Sequence, residues 1–222
     1  MNQKKQSCFF SKKAIGIGLF CLLISFGTFS LTNPTILVMG DSLSAEYGLQ
    51  RGSGWVRILE QHLQKQGSAW VVFNASISGE TSSGGLVRFQ SLLEQKKPGI
   101  VVIELGANDA LRGLSIDESE KNLRKMVLES KKSGARVLLL GMQIPPNYGQ
   151  EYTKKFKDLY PKLASQEGVE LVPFFMAGVA SKVSLFQNDN IHPNEKAQEM
   201  LFKNVWDAMA PYQALLSKPK AN

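Results

Sequence analysis

The 222-residue chain has only two cysteines, Cys8 and Cys21, and both fall within its first thirty positions. Everything after residue 30 therefore has no disulfide, no thiol nucleophile and no thiolate metal ligand. Histidine is equally scarce, with His62 and His192 as the two present. The chain contains no Gly-x-x-x-x-Gly-Lys phosphate loop, no His-Glu-x-x-His pair and no Asp-x-Asp-x-Asp loop, so neither a metal nor a nucleotide cofactor is implied. The Gly-x-Ser-x-Gly elbow is also missing, because Ser44 stands where that motif needs its second glycine. Repeats and low-complexity segments are absent, and no stripe interleaves Lys or Arg with aromatics as a nucleic-acid surface would.

Charge is absent from residues 14–31, an apolar run preceded by Lys4, Lys5, Lys12 and Lys13. Basic residues, then an apolar run, then small residues make the pattern of a secretory signal, with Thr28 and Ser30 placed to flank a cut after Ser30. The run is also long enough to serve as an uncleaved anchor. Cys21 is poorly placed for lipid attachment, since the bulky Phe20 precedes it. Residues 1–30 are thus expected to be a signal peptide or anchor, and residues 31–222 an exported domain, periplasmic or secreted. The leader holds four lysines and no acid, so without it the formal charge falls from +7 to +3, which does not call for an acidic partner. With 43% apolar and 20% charged residues, the remainder can bury one sizeable core.

From residue 36 onward, apolar runs of strand length alternate with longer stretches of helical period. Strands are expected at residues 36–39, 70–73, 100–105, 137–140 and 169–173, and helices at 54–66, 85–95, 117–133, 151–166 and 193–209. Gly67 and Gly134 should end two of the helices. Pro161 should kink or divide the fourth, and Pro193 should occupy the first turn of the last. A βαβ succession with right-handed crossovers gives a three-layer α/β/α sandwich around a five-stranded parallel sheet. Such a sheet binds ligands beyond the carboxyl ends of its strands.

Four of those strand ends carry concentrated polarity. Ser42 follows the first strand in Gly40-Asp41-Ser42-Leu43-Ser44, and a serine needs a base, an orienting group and oxyanion donors before it can act as a nucleophile. His62 lies inside a helix beside Leu63 and reads as a half-exposed helical histidine. His192 stands in Asp189-Asn190-Ile191-His192-Pro193, where a carboxylate three residues ahead can hold the imidazole's tautomer. Helix capping is the competing explanation for that segment. Gly79, in the loop after the second strand, and Asn108, in Gly106-Ala107-Asn108-Asp109 after the third, could supply a backbone and a side-chain donor beside the amide of Ser42. Leu111, Ile144, Pro145, Pro146 and Tyr148 lie on loops after the third and fourth strands and could line an acyl groove, or simply pack there.

Taken in order, these four blocks, with Gly79-Glu80-Thr81-Ser82 as the second, resemble those of the SGNH (GDSL) hydrolases over roughly residues 35–212. Within that family the likeness is to bacterial periplasmic acyl-hydrolases with thioesterase, lysophospholipase and arylesterase activity, through the Gly-Glu-Thr-Ser, Leu-Arg-Gly and Pro145-Pro146-Asn147-Tyr148-Gly149 segments. The resemblance implies the flavodoxin-like SGNH fold. It also implies Ser42 as nucleophile, His192 as base, Asp189 as its orienter, and Ser42, Gly79 and Asn108 as oxyanion donors. A small-molecule or lipid ester is the implied substrate, with contact to a membrane surface allowed, no cofactor, no nucleic acid and a monomeric chain. Glu46 departs from the family pattern, in which glycine is usual. The alternatives are a carbohydrate deacetylase of the same fold and a non-catalytic flavodoxin-like ligand-binding domain.

Overall fold

Strand β1 (Thr35–Gly40) is apolar throughout its middle, and Ile36, Leu37, Val38 and Met39 are all fully buried. A run without alternation fits only a strand covered on both faces. In the computed structural model, which describes Met1, residues 33–217 and Pro219, that strand lies inside a five-stranded parallel sheet. The expected signal peptide or anchor lies outside the described residues. The remaining strands are β2 (Val71–Asn74), β3 (Ile100–Glu104), β4 (Arg136–Leu140) and β5 (Glu170–Val172), in the order β2-β1-β3-β4-β5. Helices α1 (Trp55–Lys65), α2 (Ser82–Lys96), α3 (Ala107–Leu111), α4 (Ile116–Lys132), α5 (Gln150–Glu167) and α6 (Gln198–Ala208) connect and cover them. α1 packs with α6, while α2, α4 and α5 pack side by side. The result is the expected three-layer α/β/α sandwich.

The strand order places the site. The chain leaves β1 for β2 on one side and returns through α2 to β3 on the other, so the loops after β1 and β3 diverge between adjacent strands. That divergence opens a crevice at the carboxyl edge of the sheet. Register sets Gly40, the last residue of β1, opposite Glu104, the last residue of β3. Beneath the edge, Trp55, Phe89, Phe156 and Phe175 are completely buried, each contributing roughly 1.5–3 kcal/mol of apolar transfer.

Four boundaries differ from the expectation for identifiable reasons. α2 starts at Ser82 rather than 85, because the Thr81 side chain accepts from the Gly84 amide and caps it there. Gly106-Ala107-Asn108-Asp109 is no open loop, since residues 107–111 form the short helix α3. Pro161 does not divide α5; Pro161 and Lys157 are both exposed, so the carbonyl left without a donor lies on the solvent side of the helix while Leu159, Tyr160 and Leu163 keep the buried face intact. Pro193 lies outside the last helix, in an isolated antiparallel bridge with Phe186, and Asn194 caps the following turn by accepting from the Lys196 amide. Among the described residues no helix is long and apolar enough to cross a membrane.

Candidate active site

β1 ends in glycine because nothing larger fits. A Cβ on Gly40 would lie 2.7 Å from Ser44 Oγ and 2.8 Å from Glu104 Oε2. The chain then turns tightly: the Ala45 amide donates to the Asp41 carbonyl at 2.9 Å, and the Leu43 amide donates to Asp41 Oδ1 at 3.0 Å. Ser42 is thereby lifted, half-buried, onto the rim of the crevice.

His192 reaches it from 150 positions away. Its Nε2 lies 2.9 Å from Ser42 Oγ, and its Nδ1 lies 2.6 Å from Asp189 Oδ2. Asn190 adopts the left-handed conformation (φ 56°), one that asparagine tolerates better than most residues. The reversal lets both the Ile191 and His192 amides donate to Asp189 Oδ1, at 2.9 and 3.0 Å. One carboxylate therefore builds the turn with one oxygen and holds the imidazole with the other. Its slight burial pushes the Asp189 pKa up, but the His192 amide, the His192 ring and the Ile191 amide outweigh that and hold the group at about 2. Nδ1 beside a standing carboxylate keeps its proton, which leaves Nε2 free to accept one from Ser42.

The expected oxyanion donors lie on two further segments, the loop after β2 and the short helix α3. Asn108 sits in the first turn of α3, and its Nδ2 donates to Asp41 Oδ2 at 2.9 Å, leaving one amide proton for another acceptor. Gly79 is the third residue of a turn closed by Glu80 N to Ile77 O at 3.1 Å, and its φ of 78° is the value that favours glycine in a type II turn. Arg112, just past α3, donates through Nη2 to the Gly79 carbonyl at 2.7 Å and ties the two loops together. Among the described residues neither the Ser42 nor the Gly79 amide takes an intrachain acceptor. The Ser42 and Gly79 amides and one Asn108 amide proton are thus left without an acceptor among the described residues. Such an arrangement can stabilise the charge of a tetrahedral acyl intermediate while the adjacent imidazole shuttles a proton.

Of the groove candidates, Leu111 ends α3 three residues after Asn108, and Ile144 is buried in the core. Pro145, Pro146 and Tyr148 are exposed on the one-turn segment that follows. A separate cavity of about 620 Å³, lined by Leu93, Lys97 and Glu129 among others, lies where α2 and α4 end, at the opposite edge of the sheet. His62 contributes nothing to the site: it packs against Trp206 and Phe202 on the α1–α6 face. Among the described residues no group of three His, Cys, Asp or Glu could hold a metal ion.

Two contributors, Glu104 and Tyr47, escaped the sequence reading, and a third, Glu46, stood there only as a departure from the family pattern. Glu104 lies fully buried under Ser42's turn, and its only signal was an acid ending an otherwise apolar run. Tyr47 packs its ring on His192 with centroids 4.4 Å apart, while its carbonyl accepts from Gln187 Nε2 at 2.8 Å. Glu46, noted as a departure, adopts φ 60°, and its carboxylate accepts from the amides of Gly52 at 2.9 Å and Gly54 at 2.8 Å. The loop after Tyr47 is thereby clamped to the start of α1.

Comparison with known proteins gives the family and the fold. Residues 38–200 match the GDSL-like Lipase/Acylhydrolase family. The chain is 46% identical over 191 residues to Esterase TesA of Pseudomonas aeruginosa, a match spanning 86% of this chain and 95% of that one. It is 42% identical over 183 residues to Thioesterase 1/protease 1/lysophospholipase L1 of Escherichia coli K12, covering 82% and 86%. The crystal structure of the psychrotrophic esterase EstA from Pseudoalteromonas sp., inhibited by monoethylphosphonate, superimposes with a TM-score of 0.77 at 43% identity, covering 81% of this chain and 98% of that one. Family match, relatives and fold agree, and the chain belongs to the GDSL-like lipase/acylhydrolase family.

Proposed function

We propose that Ser42, His192 and Asp189 perform the ester hydrolysis that family membership assigns to this chain, with the Ser42 and Gly79 amides and the Asn108 side chain holding the oxyanion. The observation that carries the reading is the continuous line of hydrogen bonds from Asp189 Oδ2 to Nδ1 and from Nε2 to Ser42 Oγ, at 2.6 and 2.9 Å. Ser42 Oγ attacks the acyl carbonyl as its proton passes to His192 Nε2. The tetrahedral intermediate collapses, and the leaving alcohol or thiol takes that proton from the imidazolium. Water repeats the sequence on the acyl-serine, giving its proton to His192 and releasing the acid along with Ser42.

The substrates are carboxylic esters and thioesters of acyl chains, with Leu111, Ile144, Pro145 and Tyr148 along the path of the chain. The activities printed in the relatives' names, esterase and thioesterase with lysophospholipase, support that range. The charged-then-apolar pattern of residues 1–30 supports export to the periplasm or beyond, where lipid esters at a membrane surface are within reach, and the chain acts as a monomer. A fluorophosphonate probe should label wild type at Ser42 and leave Ser42→Ala unlabelled and without turnover of a p-nitrophenyl ester. Retained turnover by Ser42→Ala refutes the assignment. A series of acyl lengths reports the groove, and a sharp preference for acetyl would point to a deacetylase instead.

A further inference from the structure

We propose that Glu104 is a positioning residue for the oxyanion donors: a neutral carboxylic acid, hydrogen-bonded to an ionised Asp41, that fixes the turn bearing Ser42 and, through Asp41, the amide of Asn108. The proposal rests on the roles assigned above to Ser42 and Asn108.

The β1–β3 register puts Glu104 directly beside Gly40, whose missing side chain leaves room for the carboxyl group. Glu104 Oε2 accepts from the Asp41 amide at 3.2 Å and from Ser44 Oγ at 2.8 Å, so it grips the chain on both sides of Ser42. Ser44 is held further: its Oγ accepts from Trp55 Nε1 at 3.2 Å and its carbonyl from Asn74 Nδ2 at 2.7 Å. Asp41 makes the second connection, with Oδ2 accepting from Asn108 Nδ2 at 2.9 Å. From Glu104 the contacts therefore run to two of the three donors.

The protonation state follows from the contacts. Asp41 and Glu104 are both buried, the Asp41 amide donates to Glu104 Oε2 at 3.2 Å, and two neighbouring buried carboxyl groups cannot both be ionised. Asp41 receives N–H donors from Leu43 and Asn108, which suit a carboxylate. Glu104 Oε1 is buried with no N–H or O–H donor, which a carboxylate oxygen tolerates poorly and a carboxylic O–H does not need. The proton thus belongs to Glu104. Among the described residues no Lys or Arg pairs with either group; His192 is the other titratable group whose charge acts on Asp41, and the Tyr160 phenol, raised well above its ordinary value, lies within the field of both carboxyl groups and of Asp109. Burial first, and the Asp41 charge second, hold Glu104 far above the usual carboxylate range, in keeping with that assignment.

Two variants of the full-length chain test this. Glu104→Gln keeps the shape, an acceptor for the Asp41 amide and a donor for the Asp41 carboxylate, so kcat on a p-nitrophenyl ester should stay within about threefold of wild type. Glu104→Met keeps the bulk and loses both, so kcat should fall about tenfold to a hundredfold with KM nearly unchanged, somewhat less than deletion of an oxyanion donor. A Gln variant as impaired as Met, or a Met variant with wild-type kcat, overturns the proposal. Should Glu104→Met not fold, infrared difference spectra decide: a protonated-carboxyl carbonyl band at neutral pH in wild type, absent in Glu104→Gln, supports it, and no such band in wild type overturns it. Fluorophosphonate labelling of wild type separates the two levels, because failure to label Ser42 sinks the nucleophile assignment, whereas a labelled Ser42 beside an unprotonated Glu104 sinks only the positioning role.

Discussion

Replacing Asp189 with asparagine separates the two tasks of one side chain. The introduced amide can still accept from the Ile191 and His192 amides through its oxygen, at the positions where Asp189 Oδ1 now lies 2.9 and 3.0 Å away, so the turn should survive. Its NH₂ then faces His192 Nδ1 at the site of the present 2.6 Å contact, and an N–H donor there forces Nδ1 to accept. The ring proton moves to Nε2, where it points at Ser42 Oγ and blocks the uptake that catalysis needs. In a triad whose carboxylate is buried, this tautomer error is worth about 10⁴ in kcat, or roughly 5 kcal/mol. Here the Asp189 side chain keeps 36% of its accessible surface, so water can partly stand in for it and the expected loss is closer to about 10³. The assay is steady-state hydrolysis of p-nitrophenyl butyrate, with thermal unfolding as control. A loss below about tenfold with unchanged melting would refute the reasoning, because it would mean that the tautomer is set elsewhere.

Asn108→Ala removes a donor and also strips Asp41 Oδ2 of its partner; kcat should drop about 10²–10³-fold with KM little changed, and stability by about 1–3 kcal/mol, both read from kinetics and denaturant titration. Glu46→Ala loses two amide contacts while keeping the left-handed strain, whereas Glu46→Gly loses the contacts but relieves about 1 kcal/mol of strain, so both should melt below wild type and the alanine variant lower; an alanine variant melting with wild type would show that the clamp is idle, and the reverse order of the two that position 46 is not strained. Burial raises Asp41 from 3.8 to about 6, offset in part by the Leu43 amide, Glu104, Asn108 and His192, so the folded state binds this proton more tightly than the unfolded chain does, and acidifying from pH 7 to 5 favours the fold on this account. Asp189, with its usual value of 3.8 lowered to about 2, contributes stability that is lost only as pH falls below that usual value. Activity should therefore decline between pH 7 and 5, as Asp41 beside the Ser42 turn takes a proton, with no parallel fall in melting temperature; a parallel fall would contradict it.

What was legible in the sequence was local or periodic. β1, β3 and β4 read as unbroken apolar runs because a parallel sheet covered on both faces tolerates nothing else, and they fall within two residues of the expected bounds. Asp189 and His192 were legible because three residues of spacing close one turn. Ser42 and Asn108 were legible as polar residues just past strand ends, and Gly79 as a glycine in the loop after β2, all of which parallel topology sends to a single edge. What stayed hidden depends on residues distant in sequence. Glu104 was absorbed into its strand because an apolar window discounts one acid, and only register shows it opposite Gly40. The Tyr47 ring meets His192 across 145 positions, and Gln198 Oε1 accepts from the Trp55 amide at 3.0 Å from a helix 143 residues on. Pro161 does not divide α5 because the proline rule describes a helix in isolation, whereas the buried face of α5 outweighs one absent hydrogen bond on its exposed side.

The acid beneath Ser42 is not explained by stability. An apolar residue at 104 would leave the Asp41 amide without its acceptor and Ser44 Oγ without the carboxyl it donates to, at about 1–3 kcal/mol each. Burying the carboxyl group, whose Oε1 has no hydrogen-bond partner among the described residues, carries a penalty of about 2–7 kcal/mol. The two choices nearly balance energetically, yet only the acid joins β3 to the turn after β1 by directional bonds. Dispersion contacts would hold that turn in place but leave its rotation free. Rotation of the turn is what would carry the Ser42 amide and Asn108 out of register with each other, so the polar contact specifies geometry where an apolar one would supply only packing.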